Sequence, residues 1–311
     1  MPKKNLNLLV IGGTGFIGRY VVAEAIKREY HISVICLNTP HKDLRINNVE
    51  YLVVDTTNKS SLQNTLFNRE FDFIINLGGY INHSQFMEGG RKVIDDHYFS
   101  LLNILESINR KNLKRFIQIG SSSEYGDSPS PQKEDQADRP FSPYSLAKSM
   151  ATRTLKMLYE TEDFPAVIVR IFLAYGPGQG DDRFIPQIIK GCMSNSEFDT
   201  SQGLNFCDFT YIEDISIGIM DLLECNSATG KTVNLASGEP VQIKSIVEKI
   251  HNLIGKGKPV FGSLENNINN NNLYADISLA QSLISWKLNV SIEEGLIKTI
   301  KAFKDLSHKE I

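Results

Sequence analysis

A chain of 311 residues has length for about two domains of ordinary size, since single cores stop growing near ~250–300 residues. With 41% hydrophobic and 22% charged residues it lies near the globular average, which excludes wholesale disorder, collagen-like repeats and a coiled coil. A net charge of −3 gives no basic field for nucleic acid, so small molecules are the expected partners.

Met1 to Val10 carries two lysines and a brief apolar stretch that runs straight into glycines, too short for a signal peptide or a membrane span. No later apolar run is long enough to span, so no membrane partner is expected. Cys36, Cys192, Cys207 and Cys225 are far apart and form no CxxC pair. Neither a metal site nor a disulfide framework is expected, and reduced thiols in a cytoplasm fit best.

In chain order, residues 6–11 form a short apolar run ending in Gly12-Gly13-Thr14-Gly15-Phe16-Ile17-Gly18, after which Tyr20, Val21 and Ile26 recur at helical spacing. This predicts strand, tight loop, helix. Further apolar runs at 32–37, 51–54, 71–77, 116–119 and 167–172 predict strands, and most gaps between them hold a crossover helix. Alternation of this kind means a parallel α/β sheet. Helices are predicted over 91–109, where Val93, Ile94, Leu101, Leu102 and Leu105 share related faces, and over 144–161, where Leu146, Met150, Leu155 and Leu158 do the same. Those faces serve a core or a dimer seam. After about Phe172 the texture changes: Gly176-Pro177-Gly178-Gln179-Gly180 breaks the pattern and shorter elements follow, including a helix over 243–254. This reads as a smaller second lobe. Residues 266–272, nearly all asparagine, read as a surface loop.

Glycines 12, 15 and 18 stand at the strand-to-helix turn, where residues without side chains let backbone N–H groups and a helix N-terminus approach a pyrophosphate. A plain glycine-rich turn is the alternative, but the strand before and helix after favour dinucleotide binding. GGTGFIG resembles the loop of the extended short-chain dehydrogenase/reductases, the NAD(P)-dependent sugar-nucleotide epimerases, dehydratases and ketoreductases. That resemblance implies a Rossmann-type doubly wound parallel sheet with a smaller α/β substrate-binding lobe. It places residues 1–172 in the dinucleotide domain, with return segments near 204–219 and 230–236, and residues 173–203 and 237–311 in the substrate lobe. It also implies cofactor contacts from Gly12, Gly15, Phe16, Ile17 and Gly18, from Asn38, from Asp55 and Thr56, and from Leu77, Gly78 and Gly79. Counting along from Gly18 puts Cys36 or Leu37 where an NAD-selecting acid normally closes the second strand. The cofactor is therefore NADP or NAD, and Lys42 and Arg45 lie just downstream.

Pro143-Tyr144-Ser145-Leu146-Ala147-Lys148 contains Tyr-x-x-x-Lys, which on a helix sets hydroxyl and ammonium on one face. A free phenol is a poor base, but a nearby cation favours the phenolate, so Tyr144 is expected to act as general acid or base with Lys148 as its partner. Upstream, Ser121-Ser122-Ser123-Glu124-Tyr125-Gly126 follows a strand end. The resemblance selects Ser121 as the catalytic hydroxyl, five residues before the glycine. The same alignment gives the 4,6-dehydratases Asp-Glu after their threonine, where this chain has Ser122 and Ser123, so dehydration is disfavoured. Glu124 reads as a structural acceptor.

Resemblance continues through Arg170 to Gln179, Arg183-Phe184-Ile185-Pro186 and Asp208 to Asp214. It implies substrate contacts from Ser122, Ser123, Leu173, Arg183 and Phe184. Cys207 and Leu173 replace a usual arginine and asparagine, which leaves Arg183 and backbone donors to hold a nucleotide diphosphate, and His97 replaces a usual asparagine. Trp286 reads as core. The leading expectation is an NAD(P)-dependent ketoreductase of a nucleotide-linked 4-keto-6-deoxy sugar, acting as a cytoplasmic homodimer. A C4 epimerase of a nucleotide sugar uses the same residues and is the alternative. A cofactor-sensing regulator without turnover is disfavoured by an intact Ser121, Tyr144 and Lys148.

Overall fold

A computed structural model describes residues 6–42, 45–264 and 272–307. The asparagine-rich segment therefore lies outside the described residues except for Asn272. Strands in chain order are β1 (Asn7–Ile11), β2 (His31–Cys36), β3 (Val49–Val53), β4 (Phe73–Asn76), β5 (Arg115–Ser121), β6 (Ala166–Ile171), β7 (Leu173–Tyr175), β8 (Glu197–Thr200), β9 (Phe206–Tyr211), β10 (Thr232–Leu235), β11 (Pro240–Gln242) and β12 (Lys258–Phe261). Helices are α1 (Phe16–Lys27), α2 (Lys59–Leu66), α3 (Gly90–Ile94), α4 (Ser100–Ser107), α5 (Pro143–Glu162), α6 (Phe184–Met193), α7 (Ile212–Glu224), α8 (Ile243–Ile254), α9 (Ser278–Ile284) and α10 (Ile292–Ser307).

Seven strands form one parallel sheet in the order β10-β6-β5-β4-β1-β2-β3. The central strands β1, β4 and β6 are apolar and buried almost throughout because helices cover both faces, whereas the edge strand β3 is only partly buried. Along β1, Leu8 and Val10 pack with Val21 and Val22 of α1 and Ile219 of α7. Leu9 and Ile11 point the other way, toward Leu62 of α2, Leu101 of α4 and Leu155 of α5. Both pairs are at most 2% exposed, and burial of each such side chain stabilises the fold by roughly 1.5–3 kcal/mol. The sheet is thus doubly wound. Its strand order reverses between β1 and β4, where ligands settle beyond the carboxyl ends in open α/β sheets.

The helix predicted over 91–109 is broken. Between α3 and α4 the turns of Asp95–Phe99 widen into a π-helical stretch, and this carries His97. Helix α5 starts where the sequence dictates: Ser142 caps it by accepting from the Ser145 N–H, and Pro143 occupies the first turn, which fixes Tyr144 at the sheet edge.

A three-stranded sheet, β11-β9-β7, and the pair β12-β8 build the smaller lobe with α6, α8 and α10. The expected return segment near 204–219 divides between the two parts: β9 pairs with β7 and β11, whereas α7 packs beside α1. Strand β10 joins the large sheet alongside β6. One apolar core runs through both parts, with Val169, Phe209 and Ile246 among its members. Trp286 belongs to it, 4% exposed, and donates to the Ala236 carbonyl at 2.7 Å. Among the described residues no helix is long and apolar enough to cross a membrane, and no cluster of His, Cys, Asp or Glu is placed to hold a metal ion.

Candidate active site

Beyond the carboxyl ends of β1, β4, β5 and β6 lies a cavity of about 410 Å³. Gly12, Gly15, Phe16, Ile17 and Gly18 form its first wall. Gly12 has φ +75°, a left-handed conformation that glycine adopts freely, and a Cβ there would press on the Leu77 carbonyl at 3.0 Å. A Cβ at Gly18 would overlap the Gly12 carbonyl oxygen. The loop therefore lies flush against the end of β4, and α1 begins at once with the first-turn amides of Phe16, Ile17 and Gly18 free of helical partners. Amides at the positive end of a helix dipole fit the pyrophosphate of a dinucleotide. Leu77, Gly78 and Gly79 continue this wall from β4.

Asn38, Asp55 and Thr56 follow β2 and β3 at the same sheet edge but do not line the cavity. Asp55 accepts from the backbone and hydroxyl of Thr57 at 2.8 and 2.7 Å, and the Thr56 hydroxyl pairs with that of Ser100. Arg45 donates to the Pro40 carbonyl, and Lys42 is exposed.

The second wall holds Ser121, Tyr144 and Lys148 together. Lys148 is 6% exposed and donates to the Ile119 carbonyl at 2.9 Å. Burial pushes its pKa down to about 8, opposed by the carboxylate of Glu124. Tyr144 is equally buried, and burial pushes its pKa up to about 12; a Ser121 hydrogen bond pulls it down, Glu124 pushes it up and Arg183 pulls it down. Lys148 is not among the groups that shift the phenol; burial outweighs them. The ammonium is 5.8 Å from the Tyr144 ring centroid and engaged with a carbonyl, so desolvation prevails.

Ser121 ends β5 and caps the short turn Ser122–Tyr125. That turn carries Ser122 and Ser123 off the cavity wall: Ser122 is buried, and the Ser123 hydroxyl donates to the Ser121 hydroxyl at 2.9 Å. Glu124, fully buried, accepts the Ser121 N–H with one oxygen, and the Thr152 hydroxyl and Arg170 with the other. Arg170 also binds Asp138.

The third wall contains Leu173, Arg183 and Phe184 with Ile81, Phe172 and Phe209. Arg183 pairs with Asp182 at 3.2 Å and donates to the Ile81 carbonyl at 3.3 Å, joining the loop after β4 to the start of α6. Cys207 stays outside, buried, with burial raising its thiol pKa to about 11.

The model of the NAD dependent epimerase/dehydratase family matches residues 8–236. The chain belongs to that family. A relative within reach is a UDP-glucuronate 4-epimerase of Thermodesulfobacterium geofontis, 28% identical over 96% of both chains. Among solved structures, the UDP-glucose 4-epimerase of Thermotoga maritima, solved with UDP-glucose, superposes with TM-score 0.89 at 20% identity over 97% of this chain and 100% of its own. A UDP-glucuronic acid 4-epimerase of Bacillus cereus, solved with UDP-4-deoxy-4-fluoro-glucuronic acid and NAD, gives 0.87 at 24% identity over 97% and 100%. These likenesses establish the doubly wound fold.

For an epimerase/dehydratase family member, several site groups escaped the sequence reading. Tyr80 and Ile81 line the cavity, and their only signal was adjacency to Gly79. His83 and His97 both meet the Tyr144 ring edge-on, with centroids 5.7 and 5.2 Å away, and nothing local marks either contact. His97 Nε2 lies 2.8 Å from the Tyr80 carbonyl oxygen and 3.2 Å from the Tyr80 amide nitrogen, so one tautomer donates to the carbonyl and the other accepts the N–H, while Nδ1 is buried with no hydrogen-bond partner among the described residues. Arg19 and Tyr20, directly after the cradle, donate to the Gly178 and Pro177 carbonyls and tie α1 to the loop that leads to Arg183.

Proposed function

We propose that the protein is an NAD-dependent 4-epimerase of a nucleotide sugar. The observation that carries this reading is the meeting of Ser121, Tyr144 and Lys148 with the glycine cradle in one cavity. Gly12, Gly15, Gly18 and the Leu77–Gly79 segment would hold the dinucleotide and Lys148 its nicotinamide ribose, while the loop around Asn38 and the Asp55-Thr56 turn lie toward its adenosine end. A bound nicotinamide supplies a hydride acceptor that becomes a hydride donor. Ser121 holds the reacting C4 oxygen by a hydrogen bond. To take the hydroxyl proton as the carbinol is oxidised Tyr144 must be the phenolate, a form that burial opposes and that the positive charges of Lys148 and a bound oxidised nicotinamide would favour; the phenol then returns the proton once the sugar presents its other face. Arg183, at the start of α6, would meet the nucleotide diphosphate.

Relatives named as 4-epimerases that match over nearly the whole chain favour this reading over the ketoreductase expected from sequence. The ketoreductase remains the second reading because Cys36 and Leu37 close β2 without an acid, a feature compatible with NADPH. Ser122 and Ser123, with no carboxyl group, continue to disfavour dehydration. Exposed Phe99 and Leu146 on neighbouring helices support a homodimer. The test is to incubate NAD-loaded protein with UDP-glucose and UDP-glucuronate. Interconversion of C4 epimers without net absorbance change at 340 nm is expected, whereas stoichiometric NADPH or NADH consumption with a nucleotide-linked 4-keto-6-deoxyhexose would establish the ketoreductase instead.

A further inference from the structure

We propose that the sugar accepted here is uncharged, a nucleoside-diphosphate hexose or N-acetylhexosamine rather than a hexuronate. This rests on the nucleotide-sugar reading and narrows it. Among the described residues lining the cavity the cations are Lys148 and Arg183, and Asp182 opposes them. Each ligand brings a diphosphate, so negative charge already exceeds the available cations. The glycine cradle and α1 face one diphosphate, which leaves Arg183 for the other. Lys148 is turned to the Ile119 carbonyl beside Tyr144.

Among the described residues no further positive charge is held in reserve on the cavity lining. Arg170 is 1% exposed, bound to Glu124 and Asp138, and outside the cavity. Of the two histidines on Tyr144, His83 has its pKa lowered by burial and by Arg183, and His97 is pushed down to about 3 by burial and by Lys148. Both are neutral near pH 7. Hydroxyl donors are equally committed: Ser123 donates to Ser121, and Ser122 is buried off the wall. On the third wall of the cavity the lining is the apolar surface of Ile81, Phe172, Leu173, Phe184 and Phe209, and the donors of Tyr80, Tyr175 and Gln179 are engaged with Asp96 and with the Ile292 and Ala174 carbonyls. A carboxylate set against that surface loses its water without gaining a partner, whereas a hydroxymethyl or an acetamido methyl loses far less.

The experiment measures Kd and kcat/KM of the NAD-loaded protein for glucose, N-acetylglucosamine and glucuronate, each linked to UDP and to dTDP. Glucuronate is expected to bind at least about tenfold more weakly than the neutral sugars, the change produced by about 1.4 kcal/mol of uncompensated desolvation. Equal or tighter glucuronate binding overturns the proposal. Turnover with a preference for glucuronate sinks it while leaving the epimerase reading intact. Binding that favours neutral sugars without turnover sinks the epimerase reading and supports the proposal. Binding of none in either series overturns both. As a second arm, Leu173→Lys should shift the affinity ratio toward glucuronate by about tenfold; an unchanged ratio in a folded variant counts against the proposal.

Discussion

The carboxylate of Glu124, with no exposed surface, accepts the backbone N–H of Ser121 at 2.8 Å. Its second oxygen takes Arg170 at 2.9 Å, so a buried ion pair fixes the residue that is to hold the reacting oxygen. Removing one partner of such a pair costs up to about 3–5 kcal/mol, with Asp138 left as the one carboxylate on Arg170. Glu124→Ala should lower the stability measured by urea unfolding by up to that amount. Glu124→Gln keeps an oxygen acceptor for Ser121 and should lose less, since the Asp138 contact with Arg170 is common to both variants. Equal losses in the two variants would show that the Ser121 contact carries no weight.

Lys148 works against the fold. Its folded-state pKa of about 8 lies below the ordinary 10.5, so between those values the unfolded chain binds a proton that the folded chain does not. Stability therefore rises as pH climbs from 8 toward 10.5, and the full cost of the buried charge is present below 8. Lys148→Met should stabilise the protein at pH 7 by up to ~3 kcal/mol while abolishing turnover. Urea unfolding at pH 7 and pH 10 checks this, since the advantage should shrink at the higher pH. A variant less stable than the parent at both values would show that the ammonium is well paid by its carbonyl contact.

The sheet was legible because it is parallel. With helices on both faces, β1, β4, β5 and β6 must be continuous apolar runs, and such runs stand out in sequence; the ends differ by one or two residues, as at residues 71–77 against Phe73–Asn76. The cradle and the Tyr144–Lys148 pair were legible for a different reason, since their geometry is set within one turn or one helix. What sequence did not show is long-range. The ring contacts of His83 and His97 with Tyr144 depend on how the loop after β4 and the π-helical stretch pack on α5. The pKa of Tyr144 follows from burial, which spacing does not report. Asn38 and Asp55 follow the right strands, yet distance from the β1–β4 junction leaves them off the cavity wall.

Gly79 and His97 are fitted to each other. Gly79 has φ +109°, and a Cβ there would overlap the His97 imidazole. Gly79→Ala should therefore cost about 1 kcal/mol for the backbone and a further 1–3 kcal/mol for the overlap. Only the second part is relieved when the ring is also removed. The double variant Gly79→Ala/His97→Ala should show a favourable coupling of about 1–2 kcal/mol by thermal or urea unfolding. Strict additivity would place the ring elsewhere.

Tyr144 is the group whose removal most directly separates binding from chemistry. Burial raises its pKa to about 12, and it lies against Ser121 in the wall opposite the cradle. Tyr144→Phe preserves the ring that His83 and His97 contact and removes only the phenolic oxygen. Turnover should fall by about 10²–10⁴, the worth of a positioned acid–base group, with dinucleotide affinity unchanged when measured by calorimetry. In the parent protein kcat/KM should also decline above about pH 8, as Lys148 loses the charge that holds ligand beside the phenol. Lys148→Arg keeps that charge at all accessible pH and should remove the alkaline decline from whatever activity remains. If instead the decline persists in Lys148→Arg, the titrating group is not Lys148, and the assignment of the ammonium to ligand binding fails.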